Sequence, residues 1–286
     1  MDKETLISIK GAEQHYFEKR IIRIISIALA LLLGVILALA FALDFEPDKA
    51  LFKNGSVLGG ISFYGLLFSV AVILALTPII VKREKPAEPC LPDSDKYTDY
   101  YTLDNAFVRI FRICASVAVV LQGIVRFIAE LKNDSPIMNT LNLLLPIFLA
   151  LYLVPEFANK IGFFGDKTHI VCGIISLPWF VIGVINTYKQ IDFAFASSYL
   201  VLSQVGYILI LLALVYEMRY HIDGTYVRTR LAISCAAFTY GAAFGLGRVV
   251  MLITVGQISI SDTSSAIICF VISLYFGVRI FFYEED

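Results

Sequence analysis

Charge is scarce in this chain, and histidine and tryptophan are scarcer: charged residues are 16% of 286, with three histidines and a single tryptophan. A soluble domain carries about a quarter charged residues, so the deficit excludes an ordinary water-facing surface. The net charge is −1, and there is no clustered lysine and arginine excess of the kind that neutralises phosphates, which excludes nucleic acid as a partner. The five cysteines, Cys90, Cys114, Cys172, Cys235 and Cys269, stand far apart without CxxC spacing. Neither a disulfide framework nor a metal centre follows from them, and no cofactor is implied; they read as small packing residues.

Catalytic signatures are missing as well. No HExxH, GxSxG or Walker A motif occurs, although general acid–base or metal chemistry needs titratable groups at the reacting centre. His15, His169 and His221 fall in tails, loops or span boundaries and read as interfacial residues. No carboxylate or histidine is expected at mid-depth, which leans away from an enzyme and from proton-coupled transport, where such groups carry the proton.

In place of charge there are long apolar runs, with 58% hydrophobic residues and a mean hydropathy of +0.79. A bilayer core of ~30 Å needs roughly 20 apolar residues per helix. Eight segments qualify: Ile21 to Leu43, Ile61 to Val81, Ala106 to Ile128, Ile137 to Val154, Ile170 to Thr187, Phe195 to Tyr216, Leu231 to Gly256 and Ala266 to Phe282. The expectation is an all-α, polytopic transmembrane helical bundle of about eight spans. Residues 1–20 form a cytoplasmic N-terminal tail, either solvated or an interfacial helix, and 21–286 a single transmembrane domain. Ala40-Phe41-Ala42 imitates a signal-peptidase site, but the preceding apolar run is longer than a signal-peptide core, so a retained span is expected.

Lysine and arginine set the orientation. Seventeen lie at the N-terminal end and in alternate loops and five on the opposite side, with Arg248 inside a span. The positive-inside rule then places both termini in the cytoplasm of a multi-pass cell-membrane protein. The longest connection, residues 82–105, holds Pro86, Pro89 and Pro92 among charges and reads as extended chain, a candidate docking segment for a protein partner.

A 4+4 repeat is suggested by Ile24-Ile25-Ser26, Gly34-Val35-Ile36 and Asp44-Phe45 in span one against Ile174-Ile175-Ser176, Gly183-Val184-Ile185 and Asp192-Phe193 in and after span five. Arg126 would then correspond to Arg248, as in parallel-repeat transporters. The run Leu214-Val215-Tyr216-Glu217-Met218-Arg219-Tyr220, followed by Arg228 and Arg230, resembles a family of uncharacterised multi-pass membrane proteins from clostridial bacteria. That resemblance implies a bacterial inner membrane and no particular biochemical activity.

Two features stand out from the apolar background. Ala237, Gly241 and Gly245 recur every fourth residue in span seven, a small-residue groove that lets a neighbouring helix approach closely. Arg248 shares that face, at an insertion cost of roughly 2.5–3.5 kcal/mol unless it is paired. Gln122, Arg126 and Glu130 form a stripe in span three, and Asn139 and Asn142 lie at the start of span four. One reading is structural, with Glu130 or backbone carbonyls neutralising Arg248, and Arg126 reaching to the headgroups. The other is a ligand pocket in which the arginine forks hold an anionic group. The function expected is a transporter or permease component for a small anionic or zwitterionic solute, or else a sensor or scaffold acting through the 82–105 loop.

Overall fold

The computed structural model describes residues 3–46, 51–81, 106–131, 136–161, 167–189, 198–223, 227–254, 256 and 260–282, and within them all side chains but those of 3–19, 130, 187–189, 198, 221, 223, 227, 260–262 and 282. The 82–105 docking segment, His15, His221 and the Glu130 side chain therefore lie outside the described residues.

Nine helices are present among the described residues: α1 (Lys3–Asp44), α2 (Val57–Ile80), α3 (Ala106–Glu130), α4 (Pro136–Leu153), α5 (Pro155–Ile161), α6 (Thr168–Lys189), α7 (Ser198–Asp223), α8 (Val227–Thr254) and α9 (Ile260–Phe282). All but α5 are long and apolar enough to cross a membrane. Eight crossings bring the start of α1 and the end of α9 to one side, called here the near face; the other is the far face.

Several ends depart from the expected spans. The first helix is continuous from Lys3, with no break between the tail and the first span. Helix α2 starts four residues earlier than expected because Ser56 caps it, its Oγ accepting the Gly59 N–H at 2.8 Å and donating to Asp44 Oδ2 at 2.6 Å. Between α1 and α2 the chain makes a short antiparallel ladder, β1 (Phe45–Glu46) on β2 (Leu51–Phe52). Helix α7 continues to Asp223 rather than ending at Tyr216, which brings Glu217 inside it. Pro155 ends α4, since a proline lacks the N–H needed to continue the ladder, and opens α5 at its first position.

The packing order is a closed ring: α3 on α4, α4 on α6, α6 on α7, α7 on α8, α8 on α9, and α9 back on α3. The hairpin of α1 and α2 lies outside the ring and packs on α8. Helix α8, with four neighbours, is consequently the most enclosed span, 67% of its core window being buried against 22% for α2. Its glycines permit this: a Cβ at Gly241 would fall 1.7 Å from Ser273 Oγ, and one at Gly245 2.0 Å from the Phe270 ring, both on α9. Ala237 is buried in the same helix. On its other side Gly247 lies against Leu37 and Phe41 of α1.

This order does not follow the 4+4 repeat. Exchanging the two halves turns the extensive contact of α1 with α8 into one of α6 with α3, yet α3 and α6 face each other only across the ring.

Candidate functional site

Contacts between helices that are not ring neighbours identify what points into the ring. Two such groups occur among the described residues, one in each half of the bundle.

On the far side, Arg126 of α3 is 4% exposed. It donates through Nη1 to Ser265 Oγ of α9 at 2.9 Å. Its guanidinium carbon lies 6.0 Å from the ring centroid of Trp179, across the ring on α6. Trp179 in turn meets Tyr207 of α7 edge to face at 5.9 Å. The arginine is thus held inside the bundle by a hydroxyl and an aromatic face and does not reach to the headgroups as expected. Burial of a guanidinium is tolerated here because cation–π contact and a hydrogen bond replace part of its hydration. The indole N–H of buried Trp179 has no hydrogen-bond acceptor among the described residues. Asn139 and Asn142 are buried on α4, and Gly123 lets α3 approach α4 at Pro146. Gln122 is only half-buried.

Arg248 is buried as well, but in a different place. Its guanidinium sits 4.7 Å from the Tyr199 ring centroid, and Nη1 is 3.2 Å from Met251 Sδ. Tyr199 is itself packed against Phe41 and Phe45 at the end of the α1 span and against Phe244 of α8. Arg126 contacts Ser265 of α9 and the Trp179 ring of α6, and Arg248 contacts the Tyr199 ring of α7 and Met251 of its own helix.

On the near side, Glu217 of α7 is 3% exposed. Its Oε1 lies 2.6 Å from Arg279 Nη1 of α9, and its Oε2 3.6 Å from Arg230 Nη1 of α8. Arg279 also donates to Tyr275 Oη at 2.9 Å, and Arg230 lies 3.9 Å from the Tyr220 ring centroid. Tyr275 reaches across the ring to Tyr152 of α4, their centroids 6.5 Å apart. The hydroxyl of Tyr152 is buried with no partner among the described residues.

The sequence reading missed this second group, because it ended the sixth span at Tyr216, one residue short of Glu217. The available signal was the spacing of Tyr275 and Arg279, one turn apart on α9, opposite a lone acid. His169 lies at the start of α6 and is fully buried, its backbone N–H and Nδ1 at 3.3 and 3.0 Å from Asn159 Oδ1 at the α5–α6 contact.

The two polar layers are joined along α9, where the 14 residues from Ser265 to Arg279 span about 21 Å. Between them, at the α7–α8–α9 junction, lies a void of about 10 Å³ lined by Ser203, Tyr207, Gly241, Phe244 and Cys269 among others. That is room for about one water molecule. No group of three or more histidine, cysteine, aspartate or glutamate side chains is placed to hold a metal ion among the described residues.

Eight apolar helices of spanning length, enclosing buried charge, define a multi-pass integral membrane protein. Compared with known protein families, curated proteins and solved structures, the chain matches none.

Proposed function

We propose that the protein is a small-solute transporter or permease component for an anionic or zwitterionic molecule, with Arg126 as the recognising cation and the Glu217–Arg279 pair as a closed near-side gate. The observation that carries the reading is the presence of two buried charged layers at opposite ends of one six-helix ring. Charge within a span is costly, and ionisable groups that face a bundle interior mark substrate or ion routes. A guanidinium offers two parallel donors to a carboxylate or phosphate, and the Trp179 N–H beside it is a further donor awaiting an acceptor. Asn139 and Asn142, buried on α4, would orient the rest of such a solute. Arg248, over the Tyr199 ring and beside Met251 Sδ, is assigned to fastening α7 and α8.

In this reading the ring is in an occluded state, and the void at the α7–α8–α9 junction, with room for about one water, belongs to it. Opening on the near side requires Glu217 and Arg279 to part, as alternating access requires one half of a site to open while the other stays shut. The lysine and arginine asymmetry supports cytoplasmic termini, and the resemblance of the 214–220 run supports a bacterial inner membrane. The smallness of the void favours a second reading, a sensor or scaffold working through the 82–105 loop.

The only tryptophan of the chain lies in the candidate site, so binding is readable directly. Emission of Trp179 in purified protein should respond to at least one of succinate, glutamate, glycine betaine and inorganic phosphate. The response should vanish in Arg126→Lys, which keeps the charge and loses the fork. The same compound should enter proteoliposomes. Binding without flux would favour the sensor, and an undiminished response in Arg126→Lys would remove Arg126 from the site.

A further inference from the structure

The void of about 10 Å³ at the junction of α7, α8 and α9 is walled by Tyr207 and Ile210 of α7, Phe244 of α8 and Cys269 of α9, among others. Each of these four is more than nine-tenths buried, so the walls are interior side chains and not lipid-facing ones. We propose that this void receives the apolar end of the solute, which makes the substrate class a small aliphatic monocarboxylate, its carboxylate at Arg126 and its terminal group about the size of a methyl. This rests on the reading of Arg126 as the recognising cation and adds what that cation alone does not supply, a choice among anions.

Position makes the first argument. Tyr207, a wall of the void, packs edge to face on Trp179 with centroids 5.9 Å apart, and the same indole centroid lies 6.0 Å from the Arg126 guanidinium carbon. Ala266, another wall, directly follows Ser265, whose Oγ accepts from Arg126. The void and the arginine thus have two neighbours in common, the Trp179–Tyr207 pair and the Ser265–Ala266 step of α9.

Chemistry makes the second. The wall is chiefly apolar, and its serine, Ser203, already donates to Tyr199 O at 3.0 Å. A buried water is held by about three hydrogen bonds, which such a wall is poorly furnished to make, whereas a methyl group needs none and gains by leaving water. A second carboxylate or a phosphate oxygen in the same place gives up its hydration for apolar contact, so dicarboxylates and inorganic phosphate are disfavoured.

Size makes the third. Room for about one water is room for one methyl-sized group and no more. Gly206 of α7 helps to keep that room open: it lines the void, and a Cβ there would stand 3.5 Å from Tyr240 Cε1, an ordinary contact distance. An alanine at this position therefore narrows the void without forcing the helices apart.

The test titrates Trp179 emission of the purified full-length protein with formate, acetate, propionate and butyrate, beside succinate and inorganic phosphate. Affinity should rise by roughly fourfold at the first acid whose chain reaches the void, the worth of one buried methyl or methylene, and should rise no further beyond it. Gly206→Ala should erase that step and leave formate binding unchanged, whereas Cys269→Ala, which enlarges the void, should move the optimum to a longer chain. A mere packing defect changes stability and not the order of the acids. If Gly206→Ala folds poorly, Cys269→Ala alone carries the test. The proposal is overturned if formate binds as tightly as every longer acid, or if the variants keep the wild-type order. It also falls, with the reading of Arg126 intact, if succinate or phosphate alters the emission in an Arg126-dependent way and none of the monocarboxylates does. If none of the six acts, the proposal falls, and the reading of Arg126 falls with it when glutamate and glycine betaine are silent as well.

Discussion

Glu217 cannot be ionised alone at 3% exposure, because an isolated carboxylate in a medium of low polarity costs several kcal/mol; its partners Arg279 and Arg230 are what allow it to lie inside a span. The neutral substitution Glu217→Gln should therefore cost about 3–5 kcal/mol of stability, since it leaves buried guanidinium uncompensated. Adding Arg279→Met should recover a large part of that loss by removing the other charge, with Arg230 still able to lean on Tyr220. Denaturant or thermal unfolding of the four proteins of this cycle measures the coupling. If the pair is also the near-side gate, the refolded double variant should leak solute in proteoliposomes, whereas a purely structural pair would leave flux at the wild-type level. Arg248 and Arg126 were legible as letters because a charge in an apolar run is conspicuous. Glu217 was not, since its significance depends on the helix running past Tyr216 and on cations from two other helices.

At the level of elements, α8 shows how steric fit replaces the hydrophobic effect between helices that are all immersed in apolar surroundings. Its glycines are not equivalent to others in the chain. Gly245→Leu places a branched side chain where the first atom already falls 2.0 Å from the Phe270 ring, so α9 must move; overpacking of this kind costs about 1–3 kcal/mol or more. A Cβ at Gly60 in α2 meets nothing within 4 Å, and Gly60→Ala should stabilise by up to about 1 kcal/mol through helix propensity. Unfolding midpoints should move in opposite directions for the two variants, and a wild-type midpoint for Gly245→Leu would show that α9 does not rest on that face. The eight long helices and the small-residue groove could be read from run length and spacing. Helix ends shifted by several residues because caps such as Ser56 lie in polar sequence outside the apolar run. Helix α5 and the β1–β2 ladder escaped detection, the first for having seven residues and the second for having two-residue strands.

For the whole molecule, helix order in the ring depends on contacts between residues far apart in sequence, such as Arg126 with Ser265 and Glu217 with Arg279, and no run of hydropathy encodes those pairings. The same is true of the different aromatic partners of the two buried arginines, Trp179 for Arg126 and Tyr199 for Arg248. What sequence does predict at this scale is an orientation, through the excess of lysine and arginine in alternate connections. The turn between α1 and α2 places Lys53 at the far face, its Nζ donating to Leu43 O at 2.8 Å, while Lys160 ends α5 at the near face. Both side chains are exposed, and they lie on opposite sides of a bundle with an even number of crossings. In a background with native cysteines replaced by alanine, Lys53→Cys should react with a membrane-impermeant maleimide added to intact cells, and Lys160→Cys should react only after permeabilisation. The reverse pattern would invert the molecule, turning the Arg126 layer toward the cytoplasm. Labelling of both in intact cells would break the alternation of spans on which the ring and its two faces depend.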